Sequence, residues 1–378
     1  MQQIEIEKER LLQMQEPLLA WFEANMRRLP WREEPTPYHV WVSEIMLQQT
    51  RVEAVKGYYA RFLDKLPEIR DLAQAGEDEL LKLWEGLGYY NRVRNMQKTA
   101  RTAMEKYGGQ LPADYDILLT LSGIGSYTAG AVASIAYGIP VPAVDGNVLR
   151  VITRICADET DITKQSFKKE MEEILKEIIP SDRPGVFNQA LMELGAIVCV
   201  PNGPARCGEC PVMPYCEACR LGRTEEFPVK SPKKARVIEK KTVFLVRDGA
   251  YTALTKRSAG GLLAGLYEFP NVEGYLNEKE AIDYLREQGF DSMRIEKLSE
   301  AKHIFSHREW HMRGYLVRIA EQQEISAKKE LPRNAGLHER YVFATIEEME
   351  KVYPVPSAFA AYKKLLCDLH KINKKKKN

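Results

Sequence analysis

Five of the chain's seven cysteines fall between Cys199 and Cys219, and no other feature constrains the fold as much. Thiols spaced this closely either pair as disulfides or share a metal. The amino terminus, Met1-Gln2-Gln3-Ile4-Glu5-Ile6-Glu7-Lys8, is charged and lacks the apolar core of a secretory leader. The expected compartment is therefore the reducing cytoplasm, where such a cluster reads as metal ligation. The run Cys199-x7-Cys207-x2-Cys210-x5-Cys216 puts four soft thiolates in one small loop, enough to wrap a cubane iron–sulfur cluster. A second set, Cys207, Cys210, Cys216 and Cys219, suits a zinc ion instead. Spacing leaves both open. Cys156 and Cys367 read as ordinary buried thiols.

A length of 378 residues suggests two or three domains. Up to about Leu221 apolar residues recur at helical spacing over 11–26, 40–63, 77–87, 92–107 and 165–178, with turns such as Leu87-Gly88 and Gly108-Gly109 between them. An all-α region over 1–222 follows. An exposed linker is expected over 223–241: from Glu226 to Lys241, Pro228 and Pro232 accompany six basic residues and no sustained apolar period, which reads as either a plain tether or a DNA contact. Beyond it, 242–246 and 251–254 flank Asp248-Gly249 as the arms of a hairpin. A helix from Asn277 to Gly289 and a strand over 312–317 complete a second, α+β domain over 242–369. The basic tail 370–378 is expected to fray. The longest uncharged stretch, 117–144, is interrupted by glycines, serines and prolines, and no part of it reaches the roughly 20 apolar residues of a membrane span. Net charge is only +2, so nucleic-acid binding must come from local patches.

The segment Leu121-Ser122-Gly123-Ile124-Gly125-Ser126-Tyr127-Thr128-Ala129-Gly130 sets two glycines before a small-residue helix. Glycine admits positive φ and close backbone approach, and an opening helix offers unpaired N–H groups. Such a turn can grip a DNA phosphate. Taken alone it reads more simply as a tight turn between core helices. Leu121 and Ile124 can pack it, however, and an acid follows in Val144-Asp145-Gly146-Asn147-Val148. Together these segments resemble the helix-hairpin-helix DNA glycosylases of the endonuclease III superfamily, in which the acid after the hairpin is catalytic. The resemblance implies a six-helix barrel over about 30–140 and an iron–sulfur cluster domain from 1–29 with 141–222. It implies one 4Fe-4S cluster on Cys199, Cys207, Cys210 and Cys216, with a first gap one residue longer than is usual there.

Glu44 is the only charge between Glu34 and Arg51 and lies in an apolar run. A desolvated carboxyl there would hold a proton for donation near neutrality, whereas a lone helical glutamate is more often simply solvated. Leu29-Pro30-Trp31-Arg32, the run from Trp41 to Thr50, Gly86-Leu87-Gly88-Tyr89-Tyr90-Asn91-Arg92 and Asn188-Gln189-Ala190-Leu191-Met192-Glu193-Leu194-Gly195 resemble the MutY-type adenine DNA glycosylases, which excise adenine mispaired with 8-oxoguanine. By that resemblance Glu44 is the acid that protonates adenine and Asp145 the carboxylate that stabilises the oxocarbenium-like sugar, assisted by Tyr127 and Asn147. Trp31, Arg32 and Gln189 would line the adenine pocket. Gln49 and Tyr89 would wedge into the stack, and Leu47, Gln48, Thr50, Gly123, Gly125 and Ser126 would meet DNA. Tyr127 stands where bifunctional relatives carry an attacking lysine, so base removal without lysine-mediated strand cleavage is expected.

The second domain resembles the Nudix-like domain of the same family. Phe305-Ser306-His307 matches the segment that contacts 8-oxoguanine, while His303, His307 and His311 could equally be a polar strand face. Arg286 stands at a usual glutamate position beside Glu287, and a cation there disfavours Mg²⁺. Neither catalytic magnesium nor a nucleotide cofactor is expected. The expected partner is duplex DNA, acted on by a monomer at the nucleoid, with other repair proteins possible and no membrane. Two alternatives stay open: a thymine-mismatch or bifunctional pyrimidine glycosylase, and a non-catalytic damage-binding protein with a structural metal.

Overall fold

The computed structural model describes residues 2–232, 235–290, 293–319 and 340–377. Two compact units divide the chain, Met1–Ala75 with Asn91–Pro232, and Gly76–Tyr90 with Lys233–Asn378.

The first unit is helical. Its expected 11–26 helix is two, Gln2–Gln13 and Gln15–Asn25, and the expected 40–63 helix is also two, Pro37–Leu47 and Val52–Lys65. The second break has a clear cause. Gln49 takes φ +58°, a left-handed conformation no α-helix includes. Arg92 Nη1 then caps the freed carbonyls of Ile45 and Gln48, at 2.6 and 2.8 Å. Apolar spacing carries across so short a turn, which is why the sequence reads as one helix. Thr36 caps the Pro37–Leu47 helix through the His39 N–H, and Pro37 opens it with a preset φ. Leu18, Phe22, Val148, Ile152, Phe167, Phe187 and Leu191 share one buried core.

The second unit holds a mixed sheet of β1 (Val237–Asp248), β2 (Tyr251–Lys256), β3 (Tyr267–Glu268), β4 (Asn271–Glu273), β5 (Met293–Lys297), β6 (Ala301–Ile304), β7 (Arg308–Ile319) and β8 (Val342–Ala344). Its main path runs β3-β2-β1-β7-β5. β1 and β2 form the expected hairpin, with Asp248 opposite Tyr251 and Gly249 at φ +54°. β1 also lies parallel to β7, buried on both faces. Val243 and Leu245 meet Trp310, Met312, Tyr362 and Leu366, while Phe244 and Val246 meet Tyr315, Val317, Ala281 and Leu285. Helix Ala360–Lys377 thus covers one face and helix Glu278–Glu287 the other.

Two sequence expectations need correction. The strand begins at Val237, inside the supposed linker, because Lys240 and Lys241 are accommodated over the rings of Tyr275 and Trp310, at 5.5 and 4.8 Å. Lys233 and Lys234 lie outside the described residues. The terminal lysine run continues the last helix to Lys377 instead of fraying. No helix among the described residues is long and apolar enough to cross a membrane.

Candidate active site

The hairpin joins helix Tyr115–Leu119 to helix Ser126–Ala131. Only Gly123 uses the left-handed region, at φ +77°, and a Cβ there would stand 2.6 Å from Asn95 Cβ. Gly125 is extended, and nothing lies within 4 Å of where its Cβ would be, so its backbone faces open space. Leu121 and Ile124 are buried, and Thr99 Oγ1 donates to the Ser122 carbonyl (2.9 Å), seating the turn on helix Asn91–Lys106. Gly130 lets the returning chain pass, since a Cβ would stand 2.1 Å from the Pro142 carbonyl. Asn188 staples that chain by accepting from Ala143 N (3.0 Å) and donating to Val141 O (2.9 Å) and Ser134 Oγ (2.8 Å). Asp145 is delivered at the start of helix Gly146–Cys156.

Glu44, Asp145, Tyr127, Asn147, Trp31, Arg32 and Gln189 all line one open cavity of about 600 Å³, as do Leu47, Gln48, Gln49 and Thr50. Glu44 is buried, and its Oε2 accepts a short hydrogen bond from Tyr127 Oη. Burial raises its carboxyl to about 7, with the charge of Asp145 adding to the rise and the Tyr127 bond and Arg32 opposing it. Asp145 caps its helix. Its Oδ1 accepts from the N–H groups of Asn147 (2.9 Å) and Val148 (2.8 Å), and its Oδ2 from Asn147 Nδ2 (2.8 Å). Burial raises this carboxyl too, but those donors and Arg150 work for the anion. One cavity thus offers a proton near neutrality and an oriented carboxylate.

The floor is built from Arg32. Its guanidinium donates to Gln189 Oε1 (3.1 Å), to the Arg27 carbonyl (3.0 Å) and to Glu193 Oε2 (3.0 Å). Arg27 forks onto the same carboxylate at 2.7 and 2.8 Å. Burial alone would raise Glu193, yet the two arginines hold it at about 2. Sequence reasoning gave no role to Arg27 or Glu193. The signal was available, because Glu193 is the only charge in helix Pro184–Ile197, the same cue that marks Glu44. Glu193→Ala is expected to cost about 1–3 kcal/mol, because it removes the buried acceptor of two half-buried guanidinium groups. Chemical denaturation at neutral pH reads that loss.

Residues 42–177 match the model of the HhH-GPD superfamily base excision DNA repair protein, and 242–365 that of the NUDIX domain. The adenine DNA glycosylase of Mus musculus is 36% identical over 77% of this chain and 67% of its own, and that of Homo sapiens 33% identical over 89% and 73%. The chain belongs to the adenine DNA glycosylase family. A solved thermostable thymine-DNA glycosylase superposes with a TM-score of 0.51 at 27% identity, over 57% of this chain and 97% of its own. That match is to a structure whose length fits the helical part alone.

For an adenine glycosylase the cysteine loop bears on the fold of the site. Cys199, Cys207, Cys210, Cys216 and Cys219 line a second cavity, walled by Val151, Ile155, Leu194, Val198 and Val212. The longer first gap does not displace Cys199, because the Arg206 N–H closes the loop on the Val198 carbonyl (3.0 Å). Burial pushes Cys210 to about 12 and Cys216 to about 11, as in a pocket where thiolates form only on a metal. No three of the described His, Cys, Asp and Glu side chains gather so as to hold a single ion. Arg150 joins this loop to the start of helix Gly146–Cys156, donating to Cys199 O (2.9 Å), Gly195 O (2.7 Å) and Asn147 Oδ1 (2.9 Å). Arg220 pairs with Glu217.

The remaining predicted residues lie in the second unit. Phe305, Ser306 and His307 form the tip between β6 and β7, where Phe305 packs edge-on against Trp310 at 4.9 Å and Ser306 and His307 are exposed. His303 packs against Phe305 at 4.6 Å, and burial lowers its imidazole. Tyr89 takes φ +48°, is exposed, and meets Ser306 Oγ through its hydroxyl. Arg286 lies on helix Glu278–Glu287 within 3.8 Å of Asp283.

Proposed function

We propose that this protein is a monofunctional glycosylase excising adenine opposite 8-oxoguanine, or guanine, in duplex DNA as a step of base excision repair. What carries the reading is the buried Glu44, bonded by Tyr127, in one cavity with the capped Asp145. Adenine is a poor leaving group until protonated, and the sugar left behind is oxocarbenium-like. The target nucleotide leaves the stack, and its base enters between Trp31, Arg32 and Gln189. Glu44 gives its proton to an adenine ring nitrogen as the glycosidic bond breaks. Asp145 faces the developing positive charge until water adds.

Around this centre Gly123, Gly125 and Ser126 hold a phosphate, and Leu47, Gln48 and Thr50 line the groove. Gln49 and Tyr89, each on an exposed left-handed turn, wedge into the stack. Phe305, Ser306 and His307 read the opposite base. Cys199, Cys207, Cys210 and Cys216, soft thiols lining one apolar-walled cavity, fit one 4Fe-4S cluster. When bound, that group ties the loop to Arg150 and so to Asn147; base hydrolysis needs no electrons from it. The protein acts as a monomer on nucleoid DNA in the cytoplasm, without catalytic magnesium or a nucleotide cofactor.

The test is release of free base from duplexes with adenine opposite 8-oxoguanine, guanine or thymine. Adenine should leave the first fastest and the third not at all, with strand breaks only after alkali. Ser306→Ala and His307→Ala should lose preference for 8-oxoguanine over guanine. Release of thymine instead, or a borohydride-trapped covalent product abolished by changing one lysine, would overturn the reading.

A further inference from the structure

Among the described residues three cations line the catalytic cavity, Arg27, Arg32 and Lys168. Both arginines bond to Glu193 in the floor, so their charge is already matched. Lys168 is held differently. It lies on helix Gln165–Ile178, whose buried Phe167, Met171 and Leu175 fix the side on which it emerges. Its side chain is 24% exposed, and its Nζ donates to Ser126 Oγ (3.1 Å). Ser126 precedes Tyr127, whose hydroxyl binds Glu44, so the ammonium stands beside the reacting centre. The counter-ion of Lys168 is Glu172, one turn along the same helix at 3.5 Å. That contact is loose, since the buried Glu172 Oε1 accepts no hydrogen bond. Lysine ahead of glutamate is also the poorer order for such a pair on a helix.

We propose that Lys168 binds a phosphodiester flanking the extruded nucleotide, and that Glu172 restrains it in the free protein. The proposal rests on the base-excision reading above. A nucleotide entering the cavity brings phosphate charge that neither floor arginine can match. Lysine carries a compact charge on a flexible stem, so it can turn from Glu172 to a phosphate oxygen. Ser126 Oγ accepts from Lys168, which leaves its own O–H to donate to the same phosphate. One loose ion pair is thus exchanged for a charge-assisted one, and no proton changes place.

The test measures binding against salt concentration for the full-length protein. The duplex carries a fluorinated, non-cleavable deoxyadenosine analogue opposite 8-oxoguanine. Lys168→Gln should bind about 10-fold more weakly, the loss expected for one hydrogen-bonded charge. Its plot of log affinity against log salt should flatten by about 0.9, the share of one phosphate. Lys168→Arg should restore both. Glu172→Gln should tighten binding in wild type and change nothing in Lys168→Gln. Replacing one flanking phosphate by an uncharged methylphosphonate should weaken wild type about 10-fold and leave Lys168→Gln unaffected. A Lys168→Gln slope equal to that of wild type, with wild type releasing adenine, would overturn the role of Lys168 alone. So would equal sensitivity of wild type and Lys168→Gln to every methylphosphonate. Wild type that releases no adenine from the cleavable duplex would instead overturn the base-excision reading.

Discussion

Glu44→Gln is expected to lower single-turnover adenine excision by about 10²–10⁴-fold, the range for loss of a general acid. At about 1.36 kcal/mol per decade this is about 3–5 kcal/mol of barrier. Glutamine keeps the shape of the side chain and an oxygen for the Tyr127 hydroxyl, but it has no proton to give. Adenine must then depart without protonation. Binding of the duplex should survive, so the effect should fall on the chemical step. The same substitution has an opposite effect on stability. The unfolded chain ionises Glu44 near its ordinary value of 4.5, whereas the folded protein keeps the proton until about 7. The folded state thus binds more protons in that window, and wild-type stability falls as pH rises through it. Above pH 7 the cost is about 3 kcal/mol, which Glu44→Gln removes. A variant both less active and more resistant to denaturant at pH 8 would identify a carboxyl kept buried for its chemistry.

Asp145→Asn is expected to lower excision by about 10²–10³-fold, as removal of a fixed electrostatic stabiliser does. Asparagine ranks with aspartate as a helix cap, so helix Gly146–Cys156 should keep its start. What disappears is the charge aimed at the sugar. The loss should appear in the single-turnover rate with helical content and melting nearly unchanged. A large drop in melting temperature would instead make Asp145 a cap before anything else.

Residues carrying their own chemical cue were legible in the sequence. Glu44 stood alone in an apolar run, Asp145 followed a glycine hairpin, and five cysteines crowded into one loop, where they line one cavity. Asp248-Gly249 marked the hairpin, but the two loop residues are Gly249 and Ala250, with Gly249 supplying the positive φ that such a turn needs. Features set by long-range packing were hidden. Nothing local says that Gln49 turns left-handed, since Arg92 supplies the capping bonds to Ile45 and Gln48 from 47 and 44 residues away in the chain. Arg27, Arg32 and Glu193 meet only once helix Pro184–Ile197 is folded against the amino-terminal helices. Of the two hairpin glycines, sequence could not tell which needs positive φ, because Asn95 decides it. Strand β1 looked like linker at its start because lysines resting on aromatic rings imitate a solvated stretch.

The most direct test of the central claim, that burial keeps Glu44 protonated for donation, is the pH dependence of single-turnover excision on an A:8-oxoguanine duplex. The rate should fall as pH rises through about 7, where the Glu44 proton is lost. Tyr127→Phe removes a hydrogen bond that favours the ionised carboxyl, so it should move that limb to higher pH. A wild-type rate that climbs or stays level from pH 6 to 9, or a Tyr127→Phe limb at lower pH, would contradict the assignment of Glu44 as the acid.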